Sequence, residues 1–176
     1  GGVGWGGEGG GGGGREGGAG GGEIVGWVGG RGADAENAAG QECGSCARGK
    51  ICSGTDAAGF ARKQAAADAG ASAAVVGGMR AHAANAAVQD HGSAALGSIC
   101  SGTDAAGLAR QQAAADAGAI AALVGGMRAH AANAAVQECG SCSLGKICSG
   151  TDAAGFARKQ AAADAGAIAA VVGGMR

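Results

Sequence analysis

A repeat of 48 residues runs through most of this chain and restricts its possible folds more than any other feature. Residues 71 to 118 and 119 to 166 are identical at 39 of 48 positions. The string Ile-Cys-Ser-Gly-Thr-Asp occurs three times, beginning at Ile51, Ile99 and Ile147. A fixed period of about 20 to 50 residues is typical of stacked architectures, in which each unit buries its apolar face against its neighbours. We therefore expect a binding surface and no enzymatic function.

The first 22 residues form a segment of their own, because 16 of them are glycine. Glycine loses the most backbone entropy on folding, and this segment has almost nothing to bury. We predict a disordered tail over residues 1 to 22 and an array of repeats over residues 23 to 176. The array divides into a partial repeat, two full repeats and a second partial repeat, at residues 23 to 52, 53 to 100, 101 to 148 and 149 to 176.

Charge and hydropathy exclude several kinds of partner. The 13 basic and 14 acidic residues are spread along the repeats, so no basic stripe could neutralise phosphates and we expect no nucleic-acid binding. No apolar run reaches the roughly 20 residues that cross a bilayer, and no signal sequence is visible. We expect no membrane binding and a cytoplasmic or nuclear location.

Two other interpretations of the whole chain stay open: it is a fragment, or it is a translation without function. The chain begins with Gly1 and ends within a repeat, which is typical of a fragment of a longer protein. The alanine-rich and glycine-rich composition is also what the translation of a GC-rich frame without function would give.

Apolar residues within the repeat follow the period of an α-helix. Four of them are spaced i, i+3, i+4 and i+7: Ile120, Leu123, Val124 and Met127. This spacing predicts a helix over about residues 119 to 130. A second stripe follows, made of Val136, Leu144, Ile147 and Cys148. It predicts a helix over about residues 133 to 148 with Asn133 as its N-cap.

A further helix is predicted by the alanine-rich stretch from Phe156 to Ala165. Asp152 can cap its start together with Thr151, and Gly166 can end it in the left-handed conformation. No stretch alternates strictly between apolar and polar residues, so we expect no strands. The sequence therefore predicts an all-α fold with three helices in each unit, and we call them the first, second and third helix in chain order.

The helix pattern and one recurring string together resemble the armadillo repeat. The family reads approximately DAGALPALVxLL at its second helix, and this chain reads DAGAIAALV at residues 116 to 124. The family's third helix reads xVQExAxWALxNI, and residues 135 to 147 here read AVQECGSCSLGKI. The likeness covers residues 23 to 176. It implies a right-handed α-solenoid whose third helices line a concave groove that binds a segment of another protein.

The resemblance also assigns a binding face to the third helices. Cys142 stands where the family has its groove tryptophan and Lys146 where it has its groove asparagine, two residues that hold a basic peptide in nuclear-import members. Neither family residue occurs here, and lysine would repel a basic peptide, so nuclear-import cargo is not the expected partner. We predict a groove face formed by these two positions, their equivalents and their neighbours: Cys46, Lys50, His91, Ala94, Ser98, Cys139, Cys142 and Lys146.

Variation between the repeats supports that face. Residues 71 to 118 and 119 to 166 differ at nine positions, and five of the nine fall in the third helix, at 90, 91, 94, 95 and 98. Variation on a recognition face is expected when the rest of the unit only supports it. The partner that we predict is therefore another protein or peptide segment.

The seven cysteines offer an alternative function. Cys43-x-x-Cys46 and Cys139-x-x-Cys142 have the spacing of zinc ligands. The two pairs are two units apart, roughly 20 Å if packed helices add about 10 Å per unit, so one tetrahedral site would need the array to collapse. A thiol-responsive or metal-responsive module stays as the alternative, since a lysine one turn from a thiol can lower its pKa. Otherwise we expect no metal and no cofactor.

No catalytic set of residues recurs in the units. His82 and His130 are equivalent and follow the second helix, where we expect solvated loop residues. Asp68, Asp116 and Asp164 close the first helices, where a structural role suffices. No serine, histidine and carboxylate recur together, so we expect no enzyme and no small-molecule substrate.

Glycines inside the helices predict a weak fold. Ten of them occupy equivalent sites in the second and third helices: Gly77, Gly78, Gly92, Gly97, Gly125, Gly126, Gly140, Gly145, Gly173 and Gly174. At about 1 kcal/mol each, their cost is on the order of 10 kcal/mol. The free energy of unfolding of a whole domain is only about 5 to 15 kcal/mol.

We therefore predict marginal stability for the isolated chain. The first partial repeat should be the weakest, because Arg31 and Gly40 replace the residues equivalent to Met127 and Val136. Thermal melting followed by circular dichroism should show a broad transition at low temperature. A cooperative transition above about 60 °C would contradict the prediction.

Overall fold

A computed structural model of the chain describes residues 37 to 174. The predicted glycine-rich tail, residues 1 to 22, and the start of the first partial repeat, residues 23 to 36 with Arg31, lie outside the described residues. Within the described range the regular structure is entirely α-helical, without strands, as predicted. Its nine helices are α1 (Ala38–Ile51), α2 (Ala57–Asp68), α3 (Ala71–Ala81), α4 (Ala86–Ile99), α5 (Ala105–Asp116), α6 (Ala119–Ala129), α7 (Ala134–Ile147), α8 (Ala153–Asp164) and α9 (Ala167–Gly174).

The helices repeat in groups of three and pack in chain order. The first helices of the units are α2, α5 and α8, the second helices are α3, α6 and α9, and the third helices are α1, α4 and α7. Each helix contacts its equivalent in the next unit, and the third helices form the most extensive of these contacts. No described helix is long and apolar enough to span a bilayer.

Local sequence signals set the helix ends where they were predicted. The side chain of Asn133 accepts a hydrogen bond from the backbone N–H of Val136, 3.2 Å away, at the start of α7. Asp152 caps α8 in the same way, with 2.9 Å between its carboxylate and the N–H of Gly155. Gly166 separates α8 from α9 with a φ of +80°, in the left-handed region that favours glycine.

The core consists of short and medium apolar side chains. The four residues of the predicted second-helix stripe are all buried: Ile120, Leu123, Val124 and Met127. In α7, Val136, Leu144 and Ile147 are also buried, and Cys148 is half-buried just beyond the helix end. Both predicted apolar stripes are therefore confirmed as core.

A buried arginine links each full unit to its neighbour. Arg110, in α5, is 2% exposed. Its Nε donates to the carbonyl of Ile99 (3.0 Å) and its Nη2 to the carbonyl of Ser101 (2.9 Å), at the carboxyl end of α4. Its Nη1 donates to Oε1 of Gln64 (3.0 Å) in the preceding first helix. The side chain thus joins three helices from two units.

Arg158 in α8 repeats these contacts one unit later. It donates to the carbonyl of Ile147 at 2.7 Å and to the carbonyl of Ser149 at 2.8 Å. Its Nη1 donates to Oε1 of Gln112 at 2.9 Å. Carbonyl groups at a helix carboxyl end carry partial negative charge, which compensates a buried guanidinium. The role of these arginines was not predicted from the sequence.

In each glycine pair of the second helices, the second glycine has a packing role. A Cβ added to Gly126 would lie 2.6 Å from Oε1 of Gln89 in the third helix of the preceding unit. Gln89 cannot move freely, because its Nε2 donates to the carbonyls of Met79 (2.8 Å) and His82 (3.1 Å). Gly78 and Gly174 are in similar contact with Gln41 and Gln137, respectively.

Glycines of the third helices make room in the same way. A Cβ on Gly92 or Gly140 would lie 2.7 or 2.6 Å from Cγ of Met79 or Met127, respectively. A Cβ on Gly97 would lie 2.5 Å from the hydroxyl of Ser143. By contrast, Gly77, Gly125, Gly145 and Gly173 face open space. The assumption that all ten glycines only weaken the fold is therefore wrong, because six of them permit close packing.

The interpretation of the histidines needs a correction. His82 and His130 were expected to be solvated loop residues, but both are half-buried, and they are the C-caps of α3 and α6. Nε2 of His130 lies 2.9 Å from the carbonyl of Ala83 in the preceding unit. Both histidines follow the second helix as expected, but the contact of His130 was not predicted, because its partner lies one unit away and local sequence contains no sign of it.

Adjacent glycines in α6 provide a matched test of this packing. Gly125→Ala should raise the free energy of unfolding by about 0.5 to 1 kcal/mol, because alanine loses less backbone entropy and meets nothing. Gly126→Ala should lower it by about 1 to 3 kcal/mol, because the added methyl group collides with Gln89. Guanidinium unfolding followed by circular dichroism measures both. Equal effects of the two substitutions would contradict the packing described here.

Candidate functional site: the third-helix face

The predicted groove residues lie on three neighbouring helices. Cys46 and Lys50 are in α1, and Cys142 and Lys146 are in α7. The helix between them, α4, contributes the remaining central positions: His91, Ala94 and Ser98. Every predicted position, with Cys139 of α7 included, is at least partly exposed. We call the surface formed by these eight residues the third-helix face.

Close packing makes this surface continuous. Neighbouring third helices approach through small residues, and a hydrogen bond of 2.6 Å runs from the hydroxyl of Ser143 to the carbonyl of Ser93. Of the five positions that vary in the third helix, four are exposed to some degree and one, Ala95, is fully buried. Ser143 is the equivalent of Ala95, so variation at this position changes helix packing and does not alter the exposed surface.

A row of carboxylates runs along the face and was missed in the sequence. Glu42, Asp90 and Glu138 occupy equivalent positions in α1, α4 and α7. Oε1 of Glu42 lies 3.7 Å from Nδ1 of His91 in the next unit. Asp90 likewise accepts a hydrogen bond from the thiol of Cys139 in the unit that follows. The signal was present in the sequence as an acid that recurs directly after Gln41, Gln89 and Gln137.

The face carries opposite charges along its two edges. Lys50 and Lys146 lie in the last turns of α1 and α7, where cations interact favourably with the helix dipole. The carboxylates lie eight residues earlier in each helix, about 12 Å away at 1.5 Å per residue. A ligand that crosses the third helices would therefore meet an acidic row and, about two turns away, a basic one.

Cys139 is a poor candidate for thiol chemistry. Burial raises the pKa of Cys139 to about 12, assisted by its hydrogen bond to Asp90 and by the negative charges of Asp90 and Glu138. All the cysteines are free. Between residues 37 and 174 no cluster of three or more His, Cys, Asp or Glu side chains could hold a metal ion. The alternative of a thiol-responsive or metal-responsive module gains no support from this geometry.

A groove on another side of the molecule offers little chemistry. It has a volume of about 360 Å³ and lies between α5, α6 and α8. Its lining is rich in alanine, and its arginine, Arg158, already donates to backbone carbonyls and to Gln112. The third-helix face, with its charged edges and unit-to-unit variation, is the stronger candidate site.

Comparisons with family models, with curated proteins and with solved structures found no match for this chain. The resemblance to the armadillo family therefore depends only on the residues quoted in the sequence analysis. The comparisons neither assign a family nor indicate an activity.

The raised pKa of Cys139 predicts slow alkylation. With a pKa of about 12, its reaction with iodoacetamide at pH 8 should be about a thousandfold slower than that of an unperturbed thiol, because only the thiolate reacts. Asp90→Asn removes a negative charge, lowers the pKa and should accelerate labelling. Timed labelling with site-resolved mass spectrometry measures the rates.

A matched control for this prediction is Asp68→Asn. Asp68 is an exposed carboxylate at the end of α2 and bonds only to Gln64 of its own helix. Its replacement should leave the labelling rate of Cys139 unchanged. Labelling of Cys139 at the rate of an ordinary thiol in the unmodified protein would show that the described environment is wrong.

Proposed function

We propose that this chain is a non-enzymatic interaction protein that binds an extended segment of another protein along the third-helix face. The observation that carries the proposal is the placement of variation. Neighbouring third helices pack side by side, and four of their five varied positions are exposed on one continuous surface. Varied, partly exposed side chains on one continuous surface are what recognition of a partner requires.

The arginine and glycine contacts that join the units are constant. Arg110 and Arg158 make the same three bonds, and Gly126 and Gly174 meet equivalent glutamines. These residues do not differ between successive units, whereas Asp90, His91, Ala94 and Ser98 do. The differences at these partly exposed positions change what the surface presents, while the arginine and glycine contacts between the units stay the same.

Charge and spacing favour a partner with acidic residues at intervals. Lys50 and Lys146 stand at equivalent positions two units apart, so roughly 20 Å separates them at about 10 Å per packed helix. An extended chain covers that distance in about six residues at 3.3 to 3.6 Å each. We infer that the bound segment carries two acidic side chains about six residues apart.

The proposal includes an armadillo-like, right-handed α-solenoid as the scaffold. Contacts between equivalent helices of successive units support it, because such contacts are what a stacked array requires. It also includes a cytoplasmic or nuclear place of action. The free cysteines support that location, since thiols persist in reducing compartments.

Peptide selection tests the proposed face. Peptides selected from a random display library on the wild-type chain should be enriched in acidic residues about six positions apart. The double variant Lys50→Ser with Lys146→Ser should bind them about 2- to 30-fold more weakly, since two exposed ion pairs contribute about 0.2 to 1 kcal/mol each. Fluorescence anisotropy with the synthetic peptides measures the affinities.

Both lysine-to-serine substitutions should preserve the fold, because Ser98 already occupies the equivalent position of α4. The matched control is Ala73→Ser with Ala121→Ser, at exposed positions of α3 and α6. It should leave the affinity unchanged. An equal loss in both double variants, or no loss in the lysine variant, would overturn the proposed face.

A further inference from the structure

One position of the first helices changes its side chain from unit to unit. It is Lys63 in α2, Gln111 in α5 and Lys159 in α8. In α5 the buried amide of Gln111 donates to the carbonyl of Gly102 at 2.9 Å. In α2 the ammonium group of Lys63 donates to the equivalent carbonyl, that of Gly54, at 2.5 Å. We call the contacts that these two side chains make with the following unit the first junction, for Lys63, and the second junction, for Gln111.

Gln111 supplies an acceptor to the following unit, which lysine cannot do. Oε1 of Gln111 accepts hydrogen bonds from the hydroxyl of Ser149 (2.9 Å) and from Nη2 of Arg158 (3.2 Å). A protonated lysine has three donors and no acceptor. In the first junction the equivalent hydroxyl, that of Ser101, donates instead to a carbonyl three residues earlier, at 2.9 Å. Lys63 therefore gives the first junction no counterpart of the acceptor that the second junction has.

The first junction also brings two buried cations together. Lys63 and Arg110 are each 2% exposed. Arg110 occupies the position of Arg158, whose guanidinium bonds to Gln111 in the second junction. Burial lowers the pKa of Lys63 most, and the charge of Arg110 lowers it further. Among the described residues, neither cation forms an ion pair with a carboxylate. Two buried positive charges without a counter-ion are costly.

The groups around Lys63 do not balance its charge. Its ammonium nitrogen lies 4.7 Å from the centroid of the Phe60 ring, which adds a cation–π contact. The acidic group that acts on it is the thiol of Cys52, and burial raises the pKa of that thiol, so it is neutral at pH 7. The carbonyl of Gly54 carries only a partial negative charge. A full negative charge at this junction must therefore come from a ligand.

We propose that the first junction binds a chloride ion between Lys63, Arg110 and Ser101. The ion takes the part that Oε1 of Gln111 has in the second junction. It accepts hydrogen bonds from the ammonium group, the guanidinium group and the serine hydroxyl. Ser101 then turns its hydroxyl towards the first helix, as Ser149 already does. A bound anion also favours the charged form of the lysine.

Burial restricts the ligand to a small ion with one charge. A peptide carboxylate or a phosphate ester is attached to a chain that must reach solvent, and Lys63 and Arg110 expose almost none of their surface. A doubly charged phosphate ion would also lose more hydration on entry. The site lies inside the array and not on the third-helix face. Its occupation therefore stabilises the contact between the first two units without contributing to the binding of a partner.

Thermal unfolding in chloride and in gluconate, at one ionic strength, tests the site, because gluconate is too large to enter. Chloride at about ten times its dissociation constant should raise the Tm of the wild-type chain by about 3 to 6 °C. Lys63→Gln restores the acceptor of the second junction, so its Tm should be the same in the two salts. The matched control is Lys159→Gln, because Lys159 is exposed and lies in a helix of identical sequence. This control should keep the full effect of chloride.

Chlorine NMR measures the binding without unfolding the chain. Exchange of chloride with the site should broaden the chloride resonance in the presence of the wild type and of Lys159→Gln. Lys63→Gln should remove most of this broadening. An equal response of the wild type and Lys63→Gln would show that chloride acts only on the exposed surface, and the proposal would then be wrong. A wild-type chain with neither a shift of Tm nor any broadening would contradict it as well. Circular dichroism of each variant confirms that its helices are retained.

Discussion

The guanidinium groups of Arg110 and Arg158 hold the repeats together, and most other features of the structure depend on the contacts they make. Each group donates hydrogen bonds to carbonyls at the end of a third helix and to a glutamine of the preceding first helix. Among the described residues, neither group forms an ion pair with a carboxylate. One side chain thereby bonds the carboxyl end of a third helix and also the first helix of the preceding unit. Replacement of such an arginine would leave buried carbonyl and amide oxygens without hydrogen bonds, at a cost of about 1 to 3 kcal/mol for each group left unsatisfied.

Glycine gives the units their close spacing. Gly126 admits the amide of Gln89 from the preceding unit, and Gly140 admits the side chain of Met127 within one unit, so helices approach closely both between and within units. This explains how a chain with 2% aromatic residues builds a buried interior. The same closeness acts at the surface, because it brings Glu42 against His91 across the gap between two third helices. Packing in the interior and the contact between Glu42 and His91 on the surface therefore depend on the same spacing between helices.

The sequence predicts those features that depend on neighbours within one helix or turn. Helical periodicity located the buried stripe around Leu123, and capping chemistry located Asn133 and Gly166 correctly. The sequence did not predict features that depend on contacts with the next unit. A charged residue in a helix is ordinarily solvated. Arg110 is buried because carbonyls at the end of another helix accept its hydrogen bonds. The packing role of Gly126 was missed for the same reason. The helical period correctly predicted which third-helix residues share a face. The row of carboxylates on that face was not predicted, because its contacts also cross between units.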